Sequence, residues 1–121
     1  MIRNKIPFLT EFELKTPMRH ILTALDTIHK AGFLHNDITP QNILLDRKEG
    51  KKKIYAKLAG FHQVYPIEYL ARNRIAYEPA NELLQAPEVL QGCPRTEASD
   101  IWSFGLTLYL LTCGTMPFKS T

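Results

Sequence analysis

The clearest pattern in the chain lies between residues 16 and 32. Met18, Ile21, Leu22, Leu25 and Ile28 recur at i, i+3, i+4 and i+7 and predict an amphipathic helix with one buried stripe. Thr16 is a good N-cap, Pro17 suits the first helical position, and Lys30 with Gly32 supplies the stop. His29 lies beside the stripe and reads as a packed or surface histidine, not a ligand. Two strand-like runs follow, Asn42 to Leu45 and Ile54 to Leu58, joined by a basic turn containing Gly50. From Phe61 to Gln85 no period is evident, until Pro87 and Gly92 bracket a helix of one or two turns. Thr96 then opens a helix that runs to about Thr112, with Gly114 as its stop. It is apolar nearly all round, which predicts a helix buried in the middle of a domain. Residues 1–15 are weakly patterned and predict a short helix or an extended segment that packs on something.

Composition narrows the class without changing this layout. At 121 residues the chain is one domain at most. A net charge of +3 is too small to imply nucleic acid, and the cluster Arg47, Lys48, Lys51, Lys52 and Lys53 reads as a solvated hairpin tip. Cys93 and Cys113 share no metal-ligand spacing and read as reduced thiols. The N-terminus has no apolar run suited to a signal peptide, and the apolar run Ile101 to Gly114 falls short of the roughly 18 residues of a membrane helix. These features lead to the expectation of a cytoplasmic protein with no membrane or nucleic-acid partner.

Candidate chemistry centres on His35-Asn36-Asp37-Ile38-Thr39-Pro40-Gln41-Asn42-Ile43-Leu44-Leu45, where a carboxylate and a carboxamide, Asp37 and Asn42, stand five residues apart on one loop. That spacing lets the loop aim two oxygen ligands at one point. The stretch resembles the catalytic loop of protein kinases, His-Arg-Asp-Leu-Lys-Pro-x-Asn before an apolar strand, with Asn36 in place of Arg and Thr39 in place of Lys. Ala86-Pro87-Glu88 matches the Ala-Pro-Glu of that family, and Asp100-Ile101-Trp102-Ser103-Phe104-Gly105 resembles its Asp-x-Trp-Ser-x-Gly. The chain is accordingly identified as similar to the large lobe of the eukaryotic-type protein kinase superfamily. The resemblance implies an α+β fold, mainly α-helical: a partial kinase-like large lobe with a short β-hairpin beside the catalytic-like loop. It places a poorly defined segment at 1–15 and the kinase-like domain at 16–121, with a catalytic loop at 35–42, an activation-segment equivalent at 60–88 and a central helix at 96–113.

The resemblance also assigns roles. Asp37 is at the proton-acceptor position, Asn42 at a magnesium position, and Asp100 at a position that accepts hydrogen bonds from the loop around His35. ATP and magnesium are the cofactors implied, with weakened or absent binding expected. The reason is that Asp-Phe-Gly, whose Asp holds magnesium, is replaced by Gly60-Phe61-His62, so that only Phe61 remains. No Gly-rich loop or Val-Ala-x-Lys strand occurs, and the small lobe is expected before Met1 and the final helices after Thr121. Glu88 is expected to lack the Arg that pairs with it in the family. No Ser or Thr lies between Gly60 and Ala86, so the usual activation by phosphorylation there is not expected, while Tyr65, Tyr69 and Tyr77 are present.

If the metal ligand, the phosphate-contacting Lys and the ATP cradle each contribute on the order of 10²-fold, their combined loss approaches ~8 kcal/mol of barrier. Three readings stay open. The chain is a pseudokinase-like binding or scaffold module with a protein partner, or a fragment or half of an ATP-dependent Ser/Thr kinase, or a degenerate product without independent function. On the last reading its apolar central helix would be exposed and would drive self-association.

Overall fold

The computed structural model describes residues 10–47 and 54–117. Residues 1–9, the turn at 48–53 that contains Gly50, and Phe118 onward lie outside the described residues. The fold is α+β and mainly helical: helix α1, Glu11–Lys30, precedes strand β1, Phe33–Leu34, and the hairpin β2, Ile43–Arg47, with β3, Ile54–Leu58. Strand β4, Tyr65–Pro66, leads directly into the short helix α2, Ile67–Leu70. A six-residue 3₁₀ segment, Pro79–Leu84, precedes α3, Pro87–Leu90, and the long helix α4, Glu97–Cys113. Among the described residues no helix is long and apolar enough to cross a membrane.

Helix α1 begins six residues before the sequence pattern places it. Thr10, not Thr16, is the N-cap: its Oγ1 accepts from the Glu13 N–H at 3.2 Å, while its own N–H donates to Glu13 Oε1 at 3.1 Å. This reciprocal capping box satisfies two donors at once, which a Thr16 cap could not do. Pro17 therefore falls inside the helix, where its missing N–H leaves one helical bond unmade. Its ring is fully buried, and that packing offsets the lost bond. The earlier start also shifts the buried stripe to Leu14, Met18, Ile21 and Leu25, leaving Leu22 exposed. Arg47 Nη2 reaches Glu13 Oε2 at 2.9 Å and, with the cap, holds that carboxyl below the usual carboxylate range. Thr10→Ala is expected to cost about 1 kcal/mol, read as a lower urea midpoint with an unchanged m-value.

The α1 stripe packs against β3. In the antiparallel β2–β3 pair Leu45 faces Ala56, and the inward set Ile43, Leu45, Ile54 and Ala56 alternates with outward residues. The same core takes in Ile38 from the loop and Phe104 and Leu111 from α4. The Ala56 N–H donates to His20 Nδ1 at 3.2 Å, so α1 also makes a polar contact with the hairpin.

Helix α4 matches its predicted boundaries. The Thr96 N–H donates to Ser99 Oγ at 3.0 Å, and Gly114, left-handed at φ +76°, closes the last turn with its N–H on the Leu110 carbonyl at 2.8 Å. Burial on all sides is not what the structure shows. Phe104, Leu106, Thr107 and Leu111 are buried, but Ile101, Trp102 and Tyr109 are 40% exposed or more. Among the described residues, the other elements cover only one side of this helix. The aperiodic stretch after Phe61 is organised too: β4 pairs with β1, Leu34 opposite Tyr65, and the Ser103 hydroxyl donates to the Leu84 carbonyl at 2.6 Å.

Candidate functional site

The loop between β1 and β2 hangs from a single buried carboxylate on α4. Asp100 is 2% exposed; its Oδ2 accepts from the His35 N–H at 2.8 Å and its Oδ1 from the Asn36 N–H at 2.9 Å. His29 Nε2 lies 2.8 Å from Oδ2, so the histidine at the end of α1 is packed into the site as a further partner of the carboxylate. A histidine on α1 and two backbone amides of the loop thus converge on one carboxyl group of α4. Two turns of α4 further on, the Thr107 hydroxyl donates to the Ile38 carbonyl at 3.3 Å.

Asn36 takes φ +70°, a left-handed conformation that asparagine tolerates better than most residues. Its carboxamide nitrogen donates to the Leu34 carbonyl at 3.3 Å and to the Gln63 carbonyl at 2.8 Å, tying the loop to the 3₁₀ turn Phe61–Gln63 between β3 and β4. His35 is fully buried; its Nδ1 accepts from the Asp37 N–H at 3.1 Å, which leaves Nε2 to donate to the Ala59 carbonyl at 2.8 Å. Phe61 meets the His35 ring edge-on at a centroid distance of 5.3 Å. The neutral ring is thereby fixed in one tautomer.

Burial depresses the His35 pKa below the ordinary histidine value, against smaller opposing effects from the Ala59 carbonyl, Asp100 and Asp37. Below the unfolded value, near 6.5, the unfolded chain binds the proton that the folded chain refuses. Stability from this group is therefore fully present above that pH and is lost as pH falls through the depressed folded value. A urea midpoint that declines between pH 7.5 and 5, with a shallower decline in His35→Gln, is the expected result.

Asp37 and Asn42 do come together, but they face one another. Asn42 Nδ2 donates to the Asp37 backbone carbonyl at 2.8 Å and to its Oδ2 at 3.0 Å. His62 Nε2 stands 3.5 Å from the same Oδ2. Gly60 is left-handed at φ +71°, and a Cβ built there would lie 2.4 Å from Asn42 Cγ and Oδ1. The Asn42 carboxamide thus fills the space that a side chain at position 60 would need. Thr39 is 2% exposed with its hydroxyl unpartnered, so it does not line an open cleft. Glu88 is half-buried and, among the described residues, makes no side-chain hydrogen bond or ion pair; its backbone carbonyl accepts from the Cys93 N–H at 2.9 Å.

With Gly60 where an acidic residue is expected, the described residues bring one carboxylate, Asp37, and one carboxamide, Asn42, to this point. A magnesium ion demands a near-octahedral set of oxygens, commonly including carboxylates. Here Asn42 meets Asp37 through its amide nitrogen, which leaves its Oδ1 outside that contact, and Gly60 supplies no second carboxylate. The sequence pattern did not reveal that Asn42 occupies the position-60 space. Nor did it reveal that His29 partners Asp100, because that contact spans 71 positions.

The motif spacing, the α+β lobe and the loop anchored on a buried helical carboxylate define a kinase-like architecture, and comparison with known proteins agrees. The family model for the protein kinase domain matches residues 1–121, and the chain belongs to the protein kinase family. It is 33% identical over 120 residues to 3-phosphoinositide-dependent protein kinase 1 of Arabidopsis thaliana, covering 92% of this chain and 23% of that protein. It is 39% identical over 110 residues to CDPK-related kinase 5 of the same plant, covering 90% of this chain and 17% of that one. Among solved structures it resembles the Rad53 kinase domain, determined with SCD2 in complex with AMPPNP, at a TM-score of 0.63 and 27% identity over 86% of this chain and 34% of that one. The chain thus spans less than a quarter of the length of these two curated relatives.

Proposed function

We propose that this chain is a protein kinase-like module impaired in metal-dependent phosphotransfer, serving as a binding or scaffold element for a protein partner. The observation that carries the reading is the Asn42 carboxamide, seated over Gly60 and bonded to Asp37. The Asn42 amide nitrogen is turned onto Asp37, which leaves only the carboxamide oxygen and no carboxylate at position 60 for a metal. With a glycine at position 60, nothing there supplies the carboxylate that this chemistry relies on to neutralise phosphate charge. Self-association through the exposed Ile101, Trp102 and Tyr109 would instead favour the reading of a degenerate product. It would appear as a mass that rises with concentration in light scattering.

The test is ATP turnover by the purified protein with and without magnesium, beside Asp37→Asn. Equal background rates in both proteins are expected; magnesium-dependent turnover that Asp37→Asn abolishes would sink the proposal. A second reading, part of an ATP-dependent Ser/Thr kinase completed by further sequence, is favoured by the retention of Asp37 and Asn42 in a chain that covers only 23% of its plant relative. The same assay on the longest natural polypeptide that contains this chain distinguishes the two.

A further inference from the structure

Away from Asp37 and Asn42, a pocket of about 490 Å³ opens between residues 70–77 and residues 89–95. Its lining includes Arg72, Arg74 and Arg95 and not one Asp or Glu. Arg95 is unusual among them. It is 8% exposed, its Nη2 has no hydrogen-bond partner, and its Nη1 reaches only the Asn36 carbonyl, at 3.5 Å. Asp100 is the strongest source of opposing charge, but it makes no ion pair with Arg95, and its oxygens hold His29 and the loop amides. Among the described residues no carboxylate pairs with this guanidinium. Burial lowers its pKa, with Asp100, Tyr77 and Asp37 acting in the opposite direction. A buried cation with one long hydrogen bond and no ion pair is costly, and an anion from outside would relieve the arrangement.

Arg74 is held in place for the same purpose. Its Nη2 donates to the Gly92 carbonyl at 3.0 Å, and a Cβ at Gly92, already left-handed at φ +91°, would lie 2.3 Å from that nitrogen. Glycine at 92 lets the guanidinium lie against the backbone on the pocket wall. Beside the arginines, Leu70, Val89, Leu90 and Pro94 give the pocket an apolar side. Its volume exceeds what a bare phosphate ion fills.

We infer that this pocket binds a phosphate monoester carried on a peptide, with Arg95 and Arg74 on the phosphate and the apolar wall on a neighbouring side chain. Guanidinium groups match phosphate oxygens with two parallel hydrogen bonds, and the charge-assisted contact is the strong kind. The oxyanion supplies the acceptor that Arg95 Nη2 lacks, after a turn of the guanidinium toward the opening. The inference is independent of whether Asp37 supports any catalysis.

The test is a titration of the ¹⁵N-labelled protein with a capped Leu-phosphoserine-Leu tripeptide, its unphosphorylated twin, and inorganic phosphate. Saturable shifts of the Gly92, Cys93 and Arg95 amides are expected with the phosphopeptide, and weaker ones with the other two. Arg74→Gln should raise Kd about tenfold, the loss of one charge-assisted contact. Arg95→Met should abolish binding while leaving the melting midpoint equal or higher, because it removes an unpaired buried charge. A midpoint that falls in Arg95→Met while Arg74→Gln leaves Kd unchanged would give Arg95 a purely structural role and overturn the inference. So would equal binding of the phosphorylated and unphosphorylated peptides, inorganic phosphate bound as tightly as the phosphopeptide, or no amide shifts at all.

Discussion

Replacing Asp100 with alanine is expected to destabilise the fold by about 3–5 kcal/mol, the largest effect of any single polar substitution in this chain. The size follows from what is left behind. The His35 and Asn36 amides and the His29 ring all converge on this carboxylate, and the group is 2% exposed. Without it, two backbone N–H groups in the interior lose their acceptors, and each unsatisfied donor costs roughly 1–3 kcal/mol. A carboxylate receiving donors from three separate residues acts as a junction, so its loss detaches the loop from α4 as well as removing bonds. For a domain of this size the melting midpoint should fall by about 10–20 °C. Hydrogen exchange offers the sharper measurement: the His35 and Asn36 amides should lose protection far more than those of Ile43 to Leu45. Asp100→Asn keeps one acceptor oxygen but turns a donor toward the remaining amide or the histidine, so an intermediate loss is expected. If Asp100→Ala melts within a few degrees of the parent, the loop is held by something other than this carboxylate.

The parts of the molecule visible in the sequence are those governed by short-range chemistry. Thr96 and Gly114 mark the ends of α4 because capping and left-handed closure are local events, and the strand pair Ile43 with Leu58 follows from alternation about one turn. Asp100 could be marked as a group needing partners from its apolar surroundings alone, and two of those partners came only through the resemblance. The start of α1 was misplaced because two local signals compete. Thr16-Pro17 is a good opening on its own, and only the reciprocal bonds of Thr10 with Glu13 decide against it. Strands of two residues, such as Phe33–Leu34 with Tyr65–Pro66, are too short to carry a period, so their pairing lay hidden in an apparently structureless stretch. The burial of Arg95 was equally hidden, since an arginine beside a proline in a turn-rich stretch gives no sign that it will be enclosed. The candidate site divides the same way. Its residues were legible as residue types, whereas the engagement of Asn42 with Asp37 depends on where Gly60 arrives through the hairpin.

Gly60→Asp is expected to lower stability by about 2–4 kcal/mol without metal, and to gain a magnesium response that the parent chain lacks. Three costs add. Aspartate at φ +71° is less strained there than a β-branched residue would be, but still less favourable than glycine. Its Cβ would lie 2.4 Å from the Asn42 carboxamide, which must swing away and release its two hydrogen bonds to Asp37. The new carboxylate then stands near that of Asp37, and two like charges so placed disfavour joint ionisation. A divalent cation reverses the last of these costs and can take the Asn42 oxygen, which makes neither of the bonds to Asp37, so binding stabilises the folded form by mass action. The expected result is a melting midpoint that rises with magnesium in Gly60→Asp and stays flat in the parent and in Gly60→Ala. Gly60→Ala shares the backbone strain and the displaced carboxamide but offers no ligand, so it separates the geometric cost from the electrostatic one. A parent chain whose midpoint already climbs with magnesium would show that Asn42 leaves Asp37 readily, and that the paired carboxylate and carboxamide do not close the site.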